Sequence, residues 1–173
     1  MTALTFSATD TNISAGLEYI LCIKTPSPGG GSTIWTELDK APVTGGFTIT
    51  TAEIEEWYPG EGLKTFMVEA IDAAGNIGAS NEVIITLDKT APTGSVIANA
   101  NYNTSTINVT VNGSDTGGAT LTKMKVYLDN DVPSSWEDYS AGSYSFTGVA
   151  EGAHTAHVQF KDSVGNESTV YNS

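Results

Sequence analysis

Residues 61–76 read EGLKTFMVEAIDAAGN and residues 151–166 read EGAHTAHVQFKDSVGN. Every aligned pair stands ninety positions apart and seven of the sixteen are identical, so the chain reads as a tandem repeat. Phe66, Val68 and Ala70 alternate with polar or outward residues and predict the inward face of a strand, matched by Ala156, Val158 and Phe160. The large and small members have exchanged places, a volume swap that two related cores tolerate. Each strand runs into a turn, Asp72 to Asn76 or Asp162 to Asn166, in which Asp accepts backbone N–H groups and Gly takes a positive φ. Val83, Ile85 and Leu87 then close the first copy, and the Ala91-Pro92 step predicts an extended entry into the second. The expected domains are 1–90 and 91–173, each within the usual size range and able to bury a modest core.

Outward from the repeat, residues 4–8 and 19–23 correspond to 109–113 and 124–128 at an offset of 105, with Asp10-Thr11 answering Asp115-Thr116. Period two places Met124, Val126 and Leu128 inward, and by transfer Tyr19, Leu21 and Ile23. A strand containing Ile34 and Trp35, the latter answered by Trp136, follows a Pro/Gly/Ser tip at residues 26–32. Phe47 and Ile49 then match Tyr144 and Phe146. Between Phe47 and Glu61 the first copy carries seven residues more than the second does between Tyr144 and Glu151. The insertion predicts one or two helical turns, with Thr50 as N-cap, Glu53 as capping-box partner and Pro59-Gly60 as stop.

Abundant Val, Ile, Thr and Tyr, with 18 glycines and short interrupted apolar runs, are the composition of an all-β protein. The formal net charge of −13 and the absence of arginine argue against nucleic acid or anionic lipid as partner. No apolar run reaches membrane-spanning length, so no membrane insertion is expected. Cys22, the lone cysteine, cannot form an internal disulfide. Residues 1–6 lack the basic flank and apolar stretch of a signal peptide. A cytoplasmically made protein that later assembles and an excised piece with an initiator Met both fit that start.

The D-x-x-G-N turns, each after a strand, and the Leu87-Asp88-Lys89-Thr90-Ala91-Pro92 junction resemble the bacterial immunoglobulin-like (Big-type) domains found in tandem in large surface adhesins. Similar modules occur on bacteriophage virion proteins. The resemblance implies two immunoglobulin-like β-sandwiches, the third, sixth and seventh strands of each sharing a sheet. Two departures stand out: the first copy has no evident opening strand to match Gly94 to Ala98, and the ninety-residue offset leaves the second copy without its closing strand. Edges left unpaired in this way invite pairing with another chain.

No catalytic constellation emerges, and the protein is not expected to be an enzyme. His154 and His157 lie three apart on one predicted strand and so point to opposite faces. Cys22 has no activating neighbour, and no phosphate loop or nucleophile elbow is present. Calcium is the one cofactor to weigh, because Asp72, Asn76, Asp88, Asp162, Asn166 and the Asp129-Asn130-Asp131 run offer hard oxygens. The resemblance adds that calcium stiffens junctions in some adhesins; the turns already explain most of these residues without a metal. Sequons at Asn12, Asn103, Asn108, Asn112 and Asn166 are what an Asn- and Thr-rich chain yields by chance.

The outward positions of the two copies differ more than their cores. Ile20, Cys22, Met67 and Ile71 align with Lys125, Tyr127, His157 and Lys161, an apolar face against a wet one. Either the inserted helix folds over that patch with Ile54 and Trp57, or the patch is a protein interface. Trp57 and Tyr58, if exposed, would stack on a sugar. Other chains of a surface assembly, with carbohydrate as the alternative, are the expected partners, and a virion or extracellular surface the expected location.

Overall fold

The computed structural model describes residues 2–5, 18–26, 33–38, 46–98 and 105–173, with the backbone alone for residues 2–5 and 46. The expectations resting on Asp10-Thr11, the glycine-rich residues 27–32 and the sequons at Asn12 and Asn103 lie outside the described residues. The fold is all-β with one short helix. It divides into two compact units, residues 1–87 and 88–173. Asp88, Lys89 and Thr90 therefore go with the second unit, three residues earlier than the junction motif implied.

The first unit contains β1 (Thr2–Thr5), β2 (Glu18–Pro26), β3 (Thr33–Leu38), β4 (Gly46–Ile49), α1 (Thr51–Trp57), β5 (Gly62–Ile71), β6 (Ile77–Ala79) and β7 (Val83–Leu87). One sheet runs β3-β2-β5-β6, with β7 pairing the first half of β5, and β1 pairs β4 in the other. Leu21, Ile23, Phe47, Ile49, Phe66, Val68 and Leu87 fill the space between them. The inserted residues form α1 with a complete capping box: Glu53 N–H donates to Thr50 Oγ1, and Thr50 N–H donates to Glu53 Oε2 at 2.8 Å. Its Ile54, 3% exposed, enters the inner core with Trp57 and Tyr58 packed beside it. The helix thus plugs the gap between the sheets and does not lie over the outward Ile20/Met67 face. The reason is spacing: Ile54 and Trp57 share one side of the helix, and that side turns toward the core between the sheets.

The second unit contains β8 (Thr93–Ala98), β9 (Thr106–Ser114), β10 (Leu121–Leu128), β11 (Glu137–Asp138), β12 (Gly142–Thr147), β13 (Ala156–Asp162) and β14 (Tyr171–Asn172). Sheet β12-β9-β8 faces sheet β11-β10-β13-β14, so the third, sixth and seventh strands share a sheet. A closing strand does exist where the offset left none: β14 pairs His157 with Asn172 and Val158 with Tyr171, though for two residues only. Phe160 sits at the centre of the core, and the paired Gly94 and Gly113 of the facing sheet make room for its ring.

Register ties the offsets together. Leu21 pairs Val68 and Ile23 pairs Phe66, while Val126 pairs Val158 and Leu128 pairs Ala156. Leu4 pairs Phe47, and Val109 pairs Tyr144. By that register β1 is the counterpart of β9, and among the described residues nothing in the first unit stands where β8 stands.

Candidate functional site

Three carboxylates converge in the second unit. Asp88 opens the unit, Asp115 follows β9 and Asp162 ends β13; each offers an oxygen, and these oxygens lie within 4.8 Å of one another. Local chemistry builds the place. Asp162 Oδ1 accepts the N–H groups of Val164, Gly165 and Asn166, and its Oδ2 accepts Asn166 Nδ2 at 2.7 Å. The same amide nitrogen donates to the carbonyls of Asp88 at 3.1 Å and Thr90 at 3.3 Å. Asp88 Oδ1 accepts Thr90 N–H and its Oδ2 accepts Ala119 N–H. Gly117, at φ +97°, comes so close to the Asp88 carboxylate that a Cβ would collide with it.

The donor set fits a hard divalent cation. Oxygens bound to one calcium at its usual bond lengths can stand at most about 5 Å apart, a limit that all three meet. Asp88, Asp115 and Asp162 would hold the ion, which would cancel their mutual repulsion and join the unit's entry to the turns after β9 and β13. Two expected ligands, Asp88 and Asp162, are thus brought together, and Asn166 serves as their brace. In the sequence Asp115 stands out only as half of an Asp-Thr pair repeated at offset 105. In the first unit Asp72 is closed on itself: the Asn76 side-chain amide first, then the Asn76 N–H and the Ala74 N–H, donate to its oxygens and hold its carboxyl below the ordinary range.

The Asp129-Asn130-Asp131 run sits at the opposite end of β10 from Asp162 and does other work. Asp129, at φ +51°, takes His154 Nδ1 at 2.7 Å on Oδ2 and Thr155 N–H on Oδ1. His154 Nε2 meets the Ala150 carbonyl at 3.0 Å, so both ring nitrogens face acceptors. The Asp129 hydrogen bond, and then the Ala150 carbonyl, raise the His154 pKa from its ordinary value.

On the outward face of the first unit Cys22 stands opposite Met67, and Ile71 opposite Ile77. Cys22 is 1% exposed and Met67 9%, Ile20 and Ile71 are half-buried, and Ile77 is 63% exposed. Glu37 and Glu69, aligned with Cys22 and Ile20, bring acid into the patch. Burial first, then Glu69 and Glu37, push the Cys22 thiol up to about 11, so it is no nucleophile at neutral pH. The corresponding face of the second unit covers itself: Tyr127 stacks on His157 at 5.0 Å, and Trp136 lies over Lys125 and Lys161 at 4.9 and 5.3 Å. Trp57 and Tyr58, which would stack on a sugar if exposed, are half-buried against the core, and Tyr58 spends its ring on Lys64 Nζ at 3.9 Å.

No family model matches the chain. No curated protein matches it either. Among solved structures it is similar to the fibronectin(III)-like modules of Clostridium thermocellum CbhA, with 16% identity and a TM-score of 0.41, over 93% of this chain and 79% of that one. A likeness of that size bears on neither ligand nor activity.

Proposed function

We propose that this protein is a non-catalytic tandem pair of Big-type immunoglobulin-like modules working on an exterior surface, as a decoration or tail-associated component of a phage virion. It docks through the first unit and displays the second. The observation that carries the reading is the difference between the outward faces: Ile20, Cys22, Met67, Ile71 and Ile77 in one unit, against Lys125, Tyr127, His157 and Lys161 under Trp136 in the other. Exposed apolar patches serve as protein contacts, and this one is most open at Ile77, 63% exposed on the edge strand β6. A spacer or binding segment of a bacterial adhesin is the second reading, favoured by the junction motif and by the carboxylate cluster beside it. The half-buried state of Trp57 and Tyr58 weighs against carbohydrate stacking at that pair.

Light scattering over a concentration series tests the docking face. Oligomers that vanish in a folded Met67→Lys variant support an assembling virion protein. A monomer at every concentration, with no capture by virion proteins, would sink it in favour of the adhesin segment.

A further inference from the structure

Asparagine is chemically labile, and Asn112-Gly113 is the one Asn-Gly step in the chain. In such a step the glycine's main-chain nitrogen, once it loses its proton, attacks the amide carbon of the asparagine side chain, because no Cβ on the glycine crowds the approach. A bond forms between that nitrogen and Cγ, the side-chain nitrogen leaves as ammonia with the displaced proton, and a cyclic imide remains. Water opens the imide to aspartate or to isoaspartate, which carries an extra backbone atom.

The strand exposes one half of this reaction and withholds the other. Val109 and Val111 of β9 fill the core, whereas Asn112 faces outward, exposed, with no hydrogen bond to its side-chain amide among the described residues. The ladder from β12 ends at the pair Gly142 with Val111, and Gly113 is the next residue of β9 to turn toward that side. There the Tyr139 hydroxyl takes over: Gly113 N–H donates to Tyr139 Oη at 2.9 Å, and the hydroxyl donates to the Gly113 carbonyl at 3.0 Å. Tyr139 is itself held, its N–H on the Thr122 carbonyl at 2.8 Å and its ring in a T-shaped pair with Phe160, centroids 5.9 Å apart. A slower-reacting residue cannot replace Gly113, because a Cβ there would meet Phe160 and Leu121. The core dictates the glycine, and the glycine makes Asn112 vulnerable.

We infer that Asn112 is the chain's site of spontaneous deamidation and that the Tyr139 hydroxyl is the guard that sets its rate. The bond to Oη keeps the Gly113 nitrogen protonated and, with the bond to the carbonyl, holds the strand against the rotation that brings nitrogen and Cγ together. Opening the site breaks both hydrogen bonds, and each slows the reaction by about two- to tenfold. Isoaspartate at position 112 would insert its extra atom into β9 and break the alternation that turns Val109 and Val111 inward. The lifetime of the second unit therefore depends on one phenol.

The test is incubation of the full chain at mildly alkaline pH, followed by peptide mapping for aspartate and isoaspartate at every asparagine. In a folded Tyr139→Phe variant Asn112 should convert ahead of the other asparagines, about tenfold faster or more than in the parent. An unchanged rate overturns the guard, and earlier conversion at another asparagine overturns the site. Val126→Ala empties core space in the same unit and leaves Tyr139 and Gly113 in place, so it measures what lost global stability does by itself. Brought by urea to the same unfolding free energy as Tyr139→Phe, it should convert Asn112 more slowly; an equal rate makes global unfolding the route and overturns the guard. If Tyr139→Phe does not fold, hydrogen exchange on the unaltered chain decides. A Gly113 amide protected as well as its strand neighbours supports the inference, and one that exchanges like an exposed turn amide overturns it.

Discussion

A Cβ on Gly113 would stand 2.9 Å from Cε1 of Phe160, closer than real Cβ atoms come. Leu121 Cδ2 closes the same space at 2.7 Å, so the ring cannot retreat that way. Gly113→Ala should destabilise the second unit by about 1–3 kcal/mol in urea unfolding. Phe160→Leu should recover part of that loss in the double variant, although alone it costs stability.

The capping box makes a local prediction. Thr50→Ala should cost about 1 kcal/mol, and Ile54→Ala about 2–5 kcal/mol because it empties the plug between the sheets. If Thr50→Ala proves the costlier change, the helix is held by its cap more than by its packing.

Three carboxylates within 4.8 Å repel one another when ionised. In metal-free buffer Asp115→Asn should raise the unfolding temperature, by an amount corresponding to about 1–3 kcal/mol. Millimolar calcium should stabilise the parent chain and leave the variant nearly unchanged. An equal calcium response in both would exclude Asp115 from any cation site.

The His154–Asp129 pair predicts a pH window. The folded pKa of His154 is raised above 6.5, so its contribution is complete below 6.5 and is lost as pH rises through the raised value. The folded pKa of Asp129 is lowered, chiefly by the His154 hydrogen bond, so its contribution is complete above 3.8 and is lost as pH falls through the lowered value. The unfolding temperatures of parent and His154→Gln should differ most between pH 3.8 and 6.5 and converge in alkali.

Much of the architecture was legible because strands write their register in period two. Met124, Val126 and Leu128 announce one face of the second unit's core and the offset carries it to Tyr19, Leu21 and Ile23, while Phe66 and Val68 match Ala156 and Val158. The helix was legible through Thr50 and Glu53, but what it covers was not, because a short amphipathic helix fits either side of a sheet. The glycines facing Phe160 explain the exchanged volumes of Ala70 and Phe160, yet nothing local marks a glycine as the floor beneath a distant ring. Asp115 escaped for the same reason. It meets Asp88 and Asp162 only after two sheets have closed, whereas Asn166 betrays itself four residues from Asp162.

Asn166 also decides how the second unit carries load. Its amide grips the carbonyls of Asp88 and Thr90, ahead of the first ladder pair, Thr93 with Ser114. A pull entering the unit at Asp88 therefore meets this clamp before it reaches β8. With the Ala119 N–H on Asp88 Oδ2, these hydrogen bonds stand as a safety catch on the strand behind them, and the start of peeling waits on their release.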